Sequence, residues 1–177
     1  MTQKQANRTV YIGKNIEFED PLLSKIVLDD AKRMTYIYGV IYIFENSLRE
    51  VIRVIMTKKY GSDWWEKMTN PKIENIKKKV KSRKEDEKKN PWHGERGDHQ
   101  LCYIDMGDLN TIFEEFWADF ESLFPNKNWL ITRVQEISRS RNIVDHHNPL
   151  SINDQERITI YFKDWFKQVN SIKYLLI

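Results

Sequence analysis

The sequence predicts an all-α protein, and three observations carry that expectation. Apolar residues recur at three- and four-residue steps through most of the chain, as in Ile37, Ile41, Phe44, Leu48, Val51, Ile52 and Ile55. Helix-ending and helix-opening residues such as Gly61, Pro71 and Pro149 fall between those runs rather than inside them. Only TVYIGKNIEF, residues 9–18, has strand character.

About five helices follow from the patterning. The first covers residues 34–60 and stops at Gly61. Asp63, with Glu66 three residues later, resembles a capping box that starts a short helix carrying Trp64 and Trp65. Pro71 suits the first turn of a basic helix over residues 71–89. Asp108 is expected to cap an aromatic helix whose stripe includes Leu109, Ile112, Phe113, Phe116, Trp117, Phe120 and Leu123. Trp129, Leu130, Val134, Ile137 and Val144 mark a further helix that runs through Arg141. Pro149 ends it by forcing its predecessor out of the α region, so His146 and His147 fall in the last turn or just past it. Ser151 can cap the last helix, whose stripe runs from Ile158 through Trp165 to Ile172. Aromatic residues at helical spacing are read as core. Residues 1–19 form an arm or a two-stranded addition, and residues 20–177 a single domain, because no repeat or Gly/Ser/Pro linker divides the chain.

Composition narrows the function classes. Cys102 is the only cysteine, which excludes an internal disulfide and, with four scattered histidines, argues against structural zinc. The longest strongly apolar stretch, residues 36–44, is far short of a membrane span, and the first residues lack the apolar core of a signal peptide, so a cytoplasmic protein is expected. The net charge is +3, yet residues 72–89 hold nine basic residues against four acidic ones, among them Lys77, Lys78 and Lys81. Such a run is most often a solvated helix face; the other reading is a non-specific contact to a nucleic-acid backbone through counterion release.

The segment RSRNIVDHHNPL, residues 139–150, holds the candidate chemistry. Ser138, Asn142 and His146 lie four apart on one face, while Arg141 on the next strip reaches Asp145 one turn on. An anion could meet Arg141, Asn142 and His146 together if the last turn bends. An arginine fork matches phosphate oxygens, and imidazole moves protons near neutral pH. Taken alone, the spacing favours a plainer reading, in which basic residues complement the helix dipole and Arg141 with Asp145 is a surface ion pair. Asp105, Asp108, Glu114 and Glu115 could be imagined as metal ligands, but Asp108 is better used as a cap and the others are expected to face solvent, so no metal is expected.

Three segments taken together shift that balance. YIFENSLREVI at residues 42–52, followed by YGSDWW at 60–65, has a helix and a Gly-x-x-Trp-Trp turn. YIDMGDL at 103–109 leads into the aromatic helix with Trp117 and Phe120. RNIVDH at 141–146, with Pro149 and Leu150 behind it, has an arginine, a polar residue, three variable residues and a histidine. In this order they resemble the HEPN superfamily, in the branch that stands alone in bacterial defence loci or is fused to other nuclease domains. The resemblance covers about residues 34–166.

The resemblance implies a HEPN-type helical bundle and a metal-independent endoribonuclease without cofactor, acting as a homodimer through the motif helix. It implies Arg141, Asn142 and His146 as catalytic residues, with Arg141 on the phosphate and His146 handling protons. Products would carry 2′,3′-cyclic phosphate ends, and DNA would be inert. A toxin or anti-phage role, restrained by an antitoxin or sensor protein, belongs to the same expectation. Arg139, Lys77, Lys78 and Lys81 are the candidate RNA contacts. His147 duplicates the histidine within the family's tolerated spacing. Asp145 stands where that branch usually carries a small residue and either orients the imidazole or weakens anion binding. Asn148 replaces a tyrosine that some paired toxins place there, so control through that tyrosine is not expected. Glu45, Asn46 and Arg49 on the opening helix line the cleft, or Glu45 and Arg49 form a simple i,i+4 pair. The alternative is a non-catalytic HEPN module that binds RNA or a partner protein.

Overall fold

Residues 9–12, 16–19 and 23–176 are described by the computed structural model. Strands β1 (Thr9–Ile12) and β2 (Ile16–Glu19) pair antiparallel, with Val10 opposite Phe18. The remainder of the arm expected over residues 1–19, and the boundary expected at residue 20, lie outside the described residues.

Seven α-helices follow among the described residues: α1 (Lys25–Tyr60), α2 (Trp64–Lys67), α3 (Pro71–Lys89), α4 (Met106–Glu115), α5 (Trp117–Phe120), α6 (Lys127–Asp145) and α7 (Ile152–Leu176). The fold is all-α, and because α2 and α5 have only four residues each, five longer helices build it.

Three helices differ from their sequence expectation, the least of them α2, where Asp63 makes no capping bond and pairs with Lys67 at 2.8 Å instead. The first starts at Lys25 rather than at residue 34, with the Ser24 hydroxyl accepting from Val27 N at 3.4 Å. Its early turns carry no buried stripe for a periodicity argument to detect: Ile26 is 73% exposed, and Arg33 pairs locally with Asp30. The expected cap at Asp108 is corrected to Asp105, with Asp108 one turn inside α4. Met106 is already buried, so the apolar stripe starts before Leu109, and Asp108 instead accepts back from Asp105 N at 3.3 Å. The aromatic run also breaks at Phe116, between α4 and α5, and Phe120 then meets Phe113 edge-on at 4.7 Å.

The core is organised around α1. Leu48, Ile52 and Met56 are fully buried against Ile112 and Phe113 of α4, Val134 and Ile137 of α6 and Trp165 of α7. The Trp165 indole packs on Phe44 edge-on at 5.5 Å and donates Nε1–H to Ser47 Oγ at 2.8 Å, so a large ring is buried with its polar atom satisfied. The connection after α3 ends in a 3-10 helix, Gln100–Tyr103, which lies against α3 and α1. None of the described helices is long and apolar enough to cross a membrane.

Candidate functional site

The motif helix is fixed at both ends by local chemistry. At its start Asn126 Oδ1 accepts from Trp129 N at 2.8 Å. Leu130, Val134, Ile137 and Ser140 bury one face of α6, which leaves Arg141 half-buried at the seam with α1 and Asn142 outside. At its end His147 N donates to Val144 O (2.8 Å) and Asn148 N to Ile143 O (3.2 Å), the paired bonds of a Schellman motif. That motif needs a left-handed residue, and His147 fills the place with φ 59°, where glycine is the usual occupant. Beyond the turn, Leu150 is buried and its N–H points to Met34 Sδ at 3.5 Å. Ser151 caps α7 as expected, its hydroxyl accepting from Asp154 N at 3.2 Å.

Arg141 is the centre of a charged cluster. Its Nη1 lies 2.7 Å from Asp145 Oδ2, and its Nε lies 3.6 Å from Glu45 Oε2 on α1. Glu45 is 8% exposed and also pairs with Arg49, so one buried carboxylate bridges two arginines. Arg49 is held by Nε donating to Leu101 O at 2.9 Å and Nη2 to Ile104 O at 3.3 Å. Glu45 and Arg49 are thus at once an i,i+4 pair and part of the cleft wall. These groups line a cavity of about 320 Å³ between α1 and α6, together with Tyr38, Tyr42 and Arg96. A neighbouring cavity of about 540 Å³ shares Tyr38, Val144 and Asp145 with it and continues past His147, Asn148 and Pro149 toward Val27 and Met34.

The structure therefore brings together Arg141, Asp145, Glu45 and Arg49, with His147 at the adjoining cavity. Asn142 and His146 are exposed and line neither cavity. Arg139 lies elsewhere, paired with Glu136 at 2.6 Å beside a shallow depression that also includes Ser138 and Gly107. Of the α3 lysines, Lys78 is exposed and Lys81 is 4.0 Å from Glu85, whereas Lys77 Nζ donates to Met68 O at 2.7 Å. The carboxylates considered as metal ligands have other partners: Asp105 takes Arg83 (2.9 Å), Asp108 takes Lys79 (2.7 Å), Glu115 takes Lys72 (2.6 Å) and Glu114 lies 3.4 Å from Asn110 Nδ2.

Two groups near this region have displaced pKa values. Burial would raise Asp105, but the hydrogen bond and charge of Arg83, with the more distant fields of Arg141 and Lys79, hold it below the usual carboxylate value. Burial pushes His99 below 6.5, and the charge of Arg53 pushes the same way. Its ring stacks on Trp64 at 5.6 Å, and its Nδ1 accepts from Leu101 N at 3.1 Å.

Sequence reasoning missed Tyr38, Tyr42 and Arg96 as cleft residues. Tyr38 and Tyr42 carry a weak signal, being four apart and one strip away from the buried Ile37, Ile41 and Phe44. Arg96 carries none beyond its place between Gly94 and Gly97. At Gly97 (φ 151°) an added Cβ would lie 2.8 Å from Cys102 Sγ, so the loop packs there only because that residue is glycine.

The five longer helices form the all-α bundle that the HEPN resemblance implies. The family model described as Swt1-like HEPN matches residues 40–170, from within α1 to within α7, and the chain belongs to that family. No curated protein and no solved structure matches the chain.

Proposed function

We propose that the protein is a metal-independent endoribonuclease that uses Arg141 and the histidine turn after α6 on the phosphodiester of RNA. A ribose 2′-hydroxyl attacks the adjacent phosphorus, the 5′-oxygen leaves, and the products carry a 2′,3′-cyclic phosphate and a 5′-hydroxyl. Arg141 stabilises charge on the phosphorane oxygens through its planar fork. His146 takes the hydroxyl proton or returns one to the leaving oxygen, and Asn142 orients it or donates to the phosphate. Both Asn142 and His146 stand on the exposed side of α6, which suits a two-fold homodimer in which motif helices meet and share one cleft. In this reading the protein acts as a toxin or anti-phage effector, restrained by an antitoxin or sensor protein.

The observation that carries the reading is the position of Arg141, half-buried in the wall of the cavity between α1 and α6 and little more than one turn before two histidines. Incubation of wild type and His146→Ala with total RNA in EDTA, followed by mapping of the new ends, tests it. Cleavage by wild type alone, leaving cyclic phosphates, is the expected result. Intact RNA with wild type at high concentration would overturn it.

One feature favours a second reading, a non-catalytic RNA-binding or dimerisation module. Arg141 is engaged by Asp145 and Glu45, so a phosphate must displace at least the Asp145 contact before the fork is free. Under that reading Arg141→Ala and His146→Ala alter association and leave RNA uncut.

A further inference from the structure

We propose that Tyr38 and Tyr42 form a base-stacking platform for single-stranded RNA, beside the phosphate position at Arg141, with Arg96 holding a neighbouring phosphate. The inference rests on the RNA-directed reading above and adds the residues that receive a base beside the phosphate at Arg141.

The two tyrosines sit one turn apart on α1, 59% and 57% exposed, with ring centroids 6.1 Å apart and planes inclined by 28°. Large aromatic faces left in water on a helix whose adjacent strip is core call for an occupant of matching chemistry. The surrounding side chains indicate which one. Tyr38 and Tyr42 line the same cavity as Arg49, Arg96 and Arg141, so flat apolar rings and guanidinium groups converge on one space. That pairing matches a nucleotide strand, in which a base presents a π-face and the next atoms along the chain are an anionic phosphate. A free phosphate would leave the rings bare.

The charges agree with this assignment. Glu45 and Asp145 are the carboxylates of the cavity wall and face Arg141, with Glu45 also on Arg49, whereas the partner of Arg96, Glu87, is outside the wall at 2.7 Å. Arg96 is half-exposed, so a phosphate reaching it from the cleft competes with Glu87 as one at Arg141 competes with Asp145. The adjoining cavity shares Tyr38 but carries Asp30 and Asp145 with no lysine or arginine, so the phosphates are placed at Arg141 and Arg96 rather than there. Stacking on a side chain requires a base that is not already stacked between neighbours, so duplex RNA does not fit and single strands do.

The test is binding of a short fluorescent 2′-O-methyl oligoadenylate by anisotropy, a probe that has no 2′-hydroxyl to attack and stays intact whatever the protein does to natural RNA. Tyr42→Ala and Tyr38→Ala are each expected to weaken binding about tenfold, while Tyr→Phe at the same positions preserves it because the face remains. Arg96→Ala is expected to lower the slope of affinity against salt by about one. A duplex of the same length should compete poorly. Unchanged affinity in the alanine variants overturns the proposal. So does a shift in sedimentation with RNA binding intact, since that would assign the tyrosine face to a second copy of the chain. Tyrosine-dependent binding of the probe by a protein that leaves natural RNA uncut would end the ribonuclease reading and leave this one standing.

Discussion

Two basic regions of this chain direct their charge differently. On α3 the cations fasten the helix to its surroundings: Lys77 to Met68 O, Lys79 to Asp108, Arg83 to Tyr103 O at 2.6 Å and to Asp105. In the cleft, Arg141 pairs with Glu45 and Asp145, and the nearer of them, Asp145, is 43% exposed at its side chain. A backbone carbonyl or a cap is a permanent partner, since removing the lysine would leave a fixed acceptor behind. A half-exposed carboxylate is replaceable by another anion. The number of charges thus misleads: the segment with nine basic residues is mainly structural, and so is Arg49 in the cleft, whereas Arg141 beside it is the cation fitted to exchange partners.

The contrast is sharpened first by Arg141→Ala, which is expected to reduce RNA cleavage about a thousandfold with circular dichroism unchanged. Lys78→Ala and Lys81→Ala, on the exposed side of α3, should each cost less than about threefold. Equal losses from both regions, measured by release of cyclic phosphate ends, would erase the distinction.

Next in size is Glu45→Ala. This substitution leaves Arg49 and Arg141 without the buried carboxylate between them, and a loss of about 3 kcal/mol in urea unfolding is expected. An unchanged midpoint would mean that the carbonyls of Leu101 and Ile104 suffice to hold Arg49.

A smaller and opposite change is expected at the histidine turn. His147→Gly relieves a left-handed residue and should raise stability by about 1 kcal/mol, seen as a higher melting temperature. If cleavage survives in that variant, His147 is not the working histidine.

The smallest effect concerns pH and lies outside both basic regions. His99 has a depressed pKa, so folding favours its neutral form. Its contribution is complete above 6.5 and is lost as pH falls from there through the lower folded-state value. His99→Asn keeps an acceptor near Leu101 N but cannot titrate, and it should flatten the stability profile over that window. A variant with the wild-type slope would place the titration elsewhere.

What the sequence made legible follows the range of each interaction. Arg141 with Asp145, the Ser151 cap and the end of α6 before Pro149 are all local, and each is found where spacing places it. The bridge from Glu45 to Arg141 joins helices far apart in the chain, and neither residue announces the other. The first turns of α1 escaped notice because a periodic stripe exists only where a neighbour buries it. Arg96 reaches the cleft through a loop whose path depends on Gly97 against Cys102, a contact that no local pattern encodes. The Asp105 cap was hidden by a second aspartate three residues on, since either one satisfies the local signature.

The turn between α6 and α7 has a mechanical consequence. Leu150 is wedged in the core, its N–H directed to Met34 and its carbonyl accepting from Gln155 Nε2 at 2.8 Å, directly after the two histidines. It serves α7 as a fulcrum. A helix of 25 residues is a lever of about 37 Å, and a sideways push at its far end shrinks in proportion to distance from the pivot. A displacement at the distal part of α7 therefore moves the histidine turn least of all.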